Sequence, residues 1–169
     1  MKILFETERL LVRQLVDEDA DNFFLLNSNE EVMRFIRAVK NRKECDDFLK
    51  ENMLLYKEGS VIGRYTVIEK VSGSYIGNFS LLYLSIKDGF HLGFALLPAF
   101  WGKGFAQELI KAGTDYFFSA TNKNELFAIT QPENSASQKA LLKSRFIAKG
   151  TIVENKRLVE LFQIDKEGY

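Results

Sequence analysis

Between Pro98 and Ala106 the chain reads Pro-Ala-Phe-Trp-Gly-Lys-Gly-Phe-Ala, and these residue types have the clearest chemical use. Small residues at 102, 104 and 106 let the backbone approach a ligand closely, and a helical apolar pattern begins inside the same run. A helix start exposes unpaired N–H groups and the positive end of the macrodipole, so a pyrophosphate can be held there mainly by backbone. Lys103 adds a charge. Gly102 and Gly104 alone fit a plain packing turn equally well. Two rival phosphate motifs do not fit: no third glycine completes G-x-G-x-x-G, and Lys103 is followed by Gly104 instead of Ser or Thr.

The only histidine, His91, is the second candidate. An ordinary imidazole titrates near 6.5, is largely neutral at cytoplasmic pH and can accept a proton directly or through water; a purely structural strand histidine is the alternative. Cys45 shares a face with apolar neighbours and reads as a buried thiol. Arg34, Arg37, Lys40, Arg42 and Lys43 form a basic stretch that either greets an acidic acceptor or is a solvated helix face. No metal-ligand spacing is found.

The elements that must position these residues follow from periodicity. Leu4 to Leu15 reads as a first strand, and Asp17 as the cap of a helix over Glu18 to Leu26. Ser28 with Glu31 forms a capping box opening a short helix through Ile36, and Asn41 with Glu44 repeats the signal. Cys45, Phe48, Leu49, Asn52, Met53 and Tyr56 recur at helical spacing, with Gly59 as the stop. Beyond Gly59 the period becomes 2: strands over Val61 to Lys70 and Tyr75 to Ser85 join across Ser72-Gly73-Ser74, and Asp88-Gly89 turns into a strand over Phe90 to Leu97 that stops at Pro98. Phe105, Leu109, Ile110, Gly113, Tyr116 and Phe117 mark a helix face, and Glu125 to Thr130 is a short strand, which implies a parallel crossover. A helix from Ser135 to Lys143 and a hairpin of Phe146 to Val153 with Leu158 to Ile164, turning at Glu154-Asn155-Lys156, complete a mixed α/β sheet. A single strand–helix–strand unit in an antiparallel chain is unlike a doubly wound dinucleotide domain, and CoA fits the loop better than a nucleotide cofactor.

The 169 residues suit a single domain, 1–169, and 46% hydrophobic with 27% charged residues suit a globular protein. Lys plus Arg and Asp plus Glu balance at 23 each, so no overall field favours nucleic acid or an anionic membrane. One cysteine, no signal-peptide core and no spanning apolar run point to the cytoplasm, with a monomer or homodimer expected.

Four passages resemble the GNAT acetyltransferases, in particular their ribosomal-protein N-terminal (Rim-type) branch. Thr7-Glu8-Arg9-Leu10-Leu11-Val12-Arg13 resembles the opening strand, and Leu92-Gly93-Phe94-Ala95-Leu96 with Pro98 the central strand. Trp101-Gly102-Lys103-Gly104-Phe105-Ala106 resembles the acyl-CoA loop, with Trp101 where Gln or Arg is commoner. Asn134-Ser135-Ala136-Ser137 followed by Leu142-Lys143-Ser144-Arg145-Phe146 resembles the Asn-x-x-Ser helix and its ending, with Arg145 in place of the family's Gly.

The resemblance implies a mostly antiparallel sheet of about seven strands with a V-shaped splay between strands four and five, flanked by helices. It implies transfer of an acetyl group from acetyl-CoA to a primary amine, a protein N-terminus or a small molecule, by direct attack in a ternary complex without a metal. On this reading the amides of Trp101, Gly102, Lys103, Gly104, Phe105 and Ala106 meet the pyrophosphate, and the pantetheine arm pairs with backbone near Leu96. Asn134 bonds the cofactor arm. Ser137 protonates or stabilises the leaving thiolate, or is simply a helix-start hydroxyl; Leu141 stands where many members carry a tyrosine acid. His91 lies where several members carry a glutamate that deprotonates the amine, with Glu69, Tyr83 and Glu160 as substitutes. A non-catalytic acyl-CoA sensor or interaction module with the same fold is the alternative.

Overall fold

The computed structural model describes residues 2–57 and 59–169. Its strands form one sheet: β1 (Ile3–Glu6), β2 (Leu10–Gln14), β3 (Gly63–Glu69), β4 (Tyr75–Leu84), β5 (Gly89–Leu96), β6 (Glu125–Thr130), β7 (Ile147–Glu154) and β8 (Arg157–Asp165). The order is β1-β2-β3-β4-β5-β6-β8-β7, antiparallel except where β5 meets β6. The helices are α1 (Ala20–Asn27), α2 (Glu30–Met33), α3 (Arg42–Met53), α4 (Phe105–Ala120) and α5 (Ser135–Lys143). Among the described residues no helix is long and apolar enough to cross a membrane.

Eight strands replace the expected seven because Leu4 to Leu15 is a hairpin instead of one strand. Thr7 N donates to Leu10 O at 2.9 Å and Leu10 N to Thr7 Oγ1 at 2.8 Å, which closes a tight turn at Thr7-Glu8-Arg9. The splay therefore falls between the fifth and sixth strands. Three local expectations shift for similar reasons. Asn29, one residue beyond Ser28, caps α2 by accepting from Val32 N, while the Ser28 hydroxyl turns back to Phe24 O. The carboxylate that closes the entry to α1 is Asp19, which accepts from Val16 N, not Asp17. α3 stops at Met53, well before Gly59, because Tyr56 leaves the helix to donate its hydroxyl to Arg64 O and accept from Leu15 N. The Asn41–Glu44 capping box is formed as expected.

Period-2 alternation sends β3, β4 and β5 side chains to two faces. Tyr65, Val67, Phe79, Leu81 and Leu92 pack with Phe105, Leu109, Ile110 and Phe117 of α4 in the main core, each fully buried apolar side chain worth about 2 kcal/mol. The opposite face carries Arg64, Thr66, Asn78, Ser80, His91 and Gly93, as the pairs Arg64↔Ser80, Ser80↔Gly93 and Leu82↔His91 require. Over that face lie α1 and α3, joined by Leu15, Phe23 and Leu49. Buried Asp19 ties them down: it accepts from Arg13 Nη1 at 2.6 Å and Nη2 at 2.7 Å, and from Thr66 Oγ1 at 3.0 Å. Burial alone would raise the Asp19 carboxyl, but the Arg13 and Val16 donors and the Arg13 charge outweigh it and hold it below its ordinary value. Removing one partner of such a buried pair costs about 3–5 kcal/mol.

Candidate active site

The β5–β6 pairing is short. Only His91↔Phe127 and Leu92↔Ala128 are matched; past them Gly93–Leu96 and Ile129–Thr130 diverge. A cleft of about 770 Å³ opens there, within the size range of small-molecule sites. It runs from the α4 N-terminus across β5 to α2, with α5 and the β7–β8 hairpin on the far side.

The end of the cleft at α4 is made of backbone. Gly102 at φ +72° and Gly104 at φ +81° adopt the left-handed conformation, which turns the loop into α4 and leaves Gly104 as its N-cap. The first bond of the helical ladder is Glu108 N to Gly104 O, so the amides just ahead of it face outward together. Arg9 and Glu108, which sequence reasoning did not single out as functional, brace this loop. Arg9 donates to Glu108 Oε2 through Nε at 2.6 Å and to Lys103 O through Nη1 at 3.0 Å, and stacks 4.4 Å from the Phe105 centroid. The signal available was the Thr7–Arg13 passage itself, which names Arg9 but not its partner.

Trp101 donates Nε1 to Leu96 O at 2.7 Å. Leu97 N donates to Ile76 O, toward β4, so by strand alternation the Leu96 amide points into the splay, and the indole caps its carbonyl beside it. On the far wall Asn134 caps α5 by accepting from Ser137 N at 3.2 Å, which sets the Ser137 hydroxyl at the cleft. His91, Ser137, Asn134, Leu96 and the loop residues from Trp101 to Ala106 all border this cleft except Lys103, whose side chain lies over Phe100 with Nζ 5.2 Å from the ring centroid. The cations that do line the α5 wall are Lys139 and Lys143.

His91 stands on the cleft floor at the mouth of the splay. Burial, then the Arg64 charge, push its imidazole down to about 4, so it is neutral at pH 7. Glu69, Tyr83 and Glu160 do not border the cleft; Glu69 accepts from Ser72 and the Tyr83 hydroxyl donates to Asp88. Leu141 is buried in the main core, with no hydroxyl at that position. Among the described residues the buried side-chain polar atoms without a partner are Arg37 Nε, His91 Nδ1 and Thr130 Oγ1, and all three residues line this cleft. Folded chains satisfy such atoms nearly everywhere, so their concentration in one place marks a surface shaped for something other than packing.

Of the basic stretch, Arg42 pairs with Asp21 and Asp46 and Lys43 with Asp47, on the outer surface. Arg37 alone turns into the cleft. Cys45 is buried, its thiol raised above the ordinary value by burial.

The same architecture recurs in known proteins. The family model described as acetyltransferase (GNAT) domain matches residues 9–147. The uncharacterized N-acetyltransferase YoaA of Bacillus subtilis is 30% identical over 152 residues, covering 88% of this chain and 85% of that protein. RimL, a ribosomal L7/L12 alpha-N-protein acetyltransferase solved with coenzyme A, superposes with a TM-score of 0.83 at 15% identity, covering 99% of this chain and 100% of that one. A spermidine N-acetyltransferase from Vibrio cholerae, solved with CoA and spermine, superposes with a TM-score of 0.79 at 21% identity, covering 96% and 99%. The Rim-type branch is thus one of several sharing this architecture. With its splayed sheet, its glycine loop at the α4 N-terminus and a match over most of its length, the chain belongs to the GNAT acetyltransferase family.

Proposed function

We propose that the whole chain, 1–169, works as one domain that transfers an acetyl group from acetyl-CoA to a primary amine by direct attack in a ternary complex. The observation that carries this reading is the convergence, in one cleft, of a free-amide loop, an unpaired strand edge and a neutral imidazole. The residues fit the donor. A pyrophosphate suits the amides from Gly102 to Ala106 at the positive end of α4. The Trp101 amide, expected among them, is instead given to Pro98 O at 3.1 Å, and an extended amide-bearing arm suits the Leu96 edge and Asn134. Acetyl-CoA supplies the thioester, the acetyl source.

The chain's own residues supply position and proton transfer. Strand N–H groups at the splay polarise the acyl carbonyl, and the loop fixes the donor so that attack is effectively unimolecular. An ammonium has no lone pair with which to attack, so the neutral amine is the nucleophile. His91, on the floor of the cleft and held at about 4, is too weak a base to strip a free ammonium and takes the proton that the nitrogen releases as the C–N bond forms. The Ser137 hydroxyl, at the α5 end, donates to the departing sulfur.

Buried Leu141 in place of a tyrosine acid favours a second reading, an acyl-CoA sensor without turnover. Calorimetry with acetyl-CoA, followed by CoA-thiol release with a panel of amines, separates the two. Binding with turnover is expected; binding without turnover on any amine leaves the sensor, and no binding removes both.

A further inference from the structure

Arg37, in the segment after α2, and Arg64, at the start of β3, both line the cleft, on the side of the sheet away from α4. They flank the ring of Phe48, with guanidinium carbons 4.8 and 4.9 Å from its centroid. Among the described residues neither is within 4.0 Å of a carboxylate, and the cleft's own carboxylates, Glu31 and Glu154, pair with neither.

Each is held instead by a neutral amide, and the same device is used twice. Asn27 and Asn52, both fully buried, donate Nδ2 to the carbonyl one turn earlier, Phe23 O at 2.7 Å and Phe48 O at 2.6 Å. That fixes each Oδ1 toward its arginine: Asn27 accepts from Arg37 Nη2 at 2.6 Å, and Asn52 from Arg64 Nη1 at 2.7 Å. A carboxylate at 27 or 52 would neutralise the guanidinium; an amide orients it and leaves the charge intact. Two neighbouring half-buried cations without counter-charge are costly to the fold. Arg64 is pushed down to about 10 by burial and by the Arg37 charge, and remains protonated at neutral pH. Arg37 keeps a buried Nε without a partner.

We propose that Arg37 and Arg64 form an anion subsite for the acceptor, and that the amine acetylated by this protein carries a carboxylate. The carboxylate bridges the two guanidiniums over Phe48, and the amine then lies toward His91, two residues along β5 from the Arg64–Ser80–Gly93 row. This rests on the acetyltransferase reading. It selects, within the amines, for amino acids and acidic peptide N-termini and against polyamines, whose charge the pair repels.

The test is acetyl transfer to matched acceptors: glutamate and aspartate against their fully amidated forms, peptides beginning Asp against Asn, and spermidine. The carboxylates are expected to lead in kcat/KM by about 10- to 100-fold, the strength of charge-assisted bonds. In Arg64→Gln and in Arg37→Gln that lead should collapse, chiefly through KM, with acetyl-CoA affinity unchanged and Arg64→Lys retaining part of it. The free-acid and peptide arms separate the two sources of carboxylate. Equal or better turnover of amides or spermidine by the natural chain overturns the subsite. Glutarate, titrated calorimetrically against the protein alone, reads the subsite without turnover: binding lost in Arg64→Gln supports it even if no amine is acetylated, and absence of binding while acetyl-CoA binds overturns it. Failure of acetyl-CoA to bind is instead the failure of the enzyme reading.

Discussion

Opposite walls of the cleft are built from different material. The proposed donor wall, from Leu96 to Ala106, offers main-chain amides set by two left-handed glycines and a helix start, and Arg9 braces the loop through Lys103 O. The proposed acceptor wall offers side chains from separate parts of the chain, His91 together with Arg37 and Arg64, and the two arginines are aimed by Asn27, Asn52 and Phe48. Backbone recognition tolerates many side chains and fixes a ligand common to a large family. Side-chain recognition depends on a few identities and can differ between relatives of one fold.

The comparison breaks most severely if Gly104 is changed. In Gly104→Val a β-branched residue must hold φ +81°, and although the added Cβ meets only Arg9 Nη2, at 3.5 Å, the amides can no longer align. Calorimetry should record a loss of acetyl-CoA affinity of about 100-fold from a local distortion of about 2–3 kcal/mol, with glutarate binding retained. Loss of both ligands together would mean that the walls are not independent.

His91→Ala sharpens the distinction from the other side. Turnover at pH 7 should fall about 100-fold with acetyl-CoA affinity unaltered, and His91→Glu should recover part of the rate. The pH profile adds a check with a definite sign. Protonation removes the base, and His91 is held at about 4, so the limb of kcat/KM due to this group should lie near 4 and not near 6.5. Arg64 contributes to that depression, so Arg64→Gln should move the limb upward. Stability follows the same linkage: the unfolded chain takes up a proton near 6.5 that the folded imidazole refuses until about 4, so stability is lost as pH falls through that window.

How much of this was legible in sequence follows from the same division. The donor wall could be read because its determinants are contiguous: glycines, a helix start and a strand ending at Pro98 are local signals, and so was the Asn41–Glu44 box. Of the acceptor wall only His91, the single histidine, could be read; Arg64 gains meaning only when β3 brings it beside Arg37 and over Phe48. The basic stretch pointed at the region, yet Arg42 and Lys43 in the same stretch are ordinary surface ion pairs, and only tertiary structure separates them from Arg37. The strand break at Thr7–Arg9 was missed for a smaller reason: a turn closed by a threonine hydroxyl leaves no glycine or proline behind.

The smallest expected effect lies on neither wall. Arg145 occupies the left-handed position of a complete helix stop, with φ +68°, Phe146 N donating to Leu141 O and Arg145 N to Leu142 O. Arg145→Gly should raise stability by about 1 kcal/mol and Tm by about 2–4 °C without changing kinetics on either side. A change in acceptor KM would tie this turn to the acceptor wall.

The parting of β5 from β6 has a consequence for the sheet as a whole. After two matched pairs, the hydrogen-bonding edges of β5 and β6 face each other across a gap, so the molecule contains edge strands in its middle as well as at its rim. Rim edges invite association with other chains and are guarded against it. An interior edge flanked by α4 and α5 admits only a slender, extended partner. A ligand that lies there takes the place of a strand, spanning β1–β5 and β6–β8 with bonds the polypeptide does not itself supply. Such binding adds, by mass action, to the cohesion that the two β5–β6 pairs and the shared core already supply.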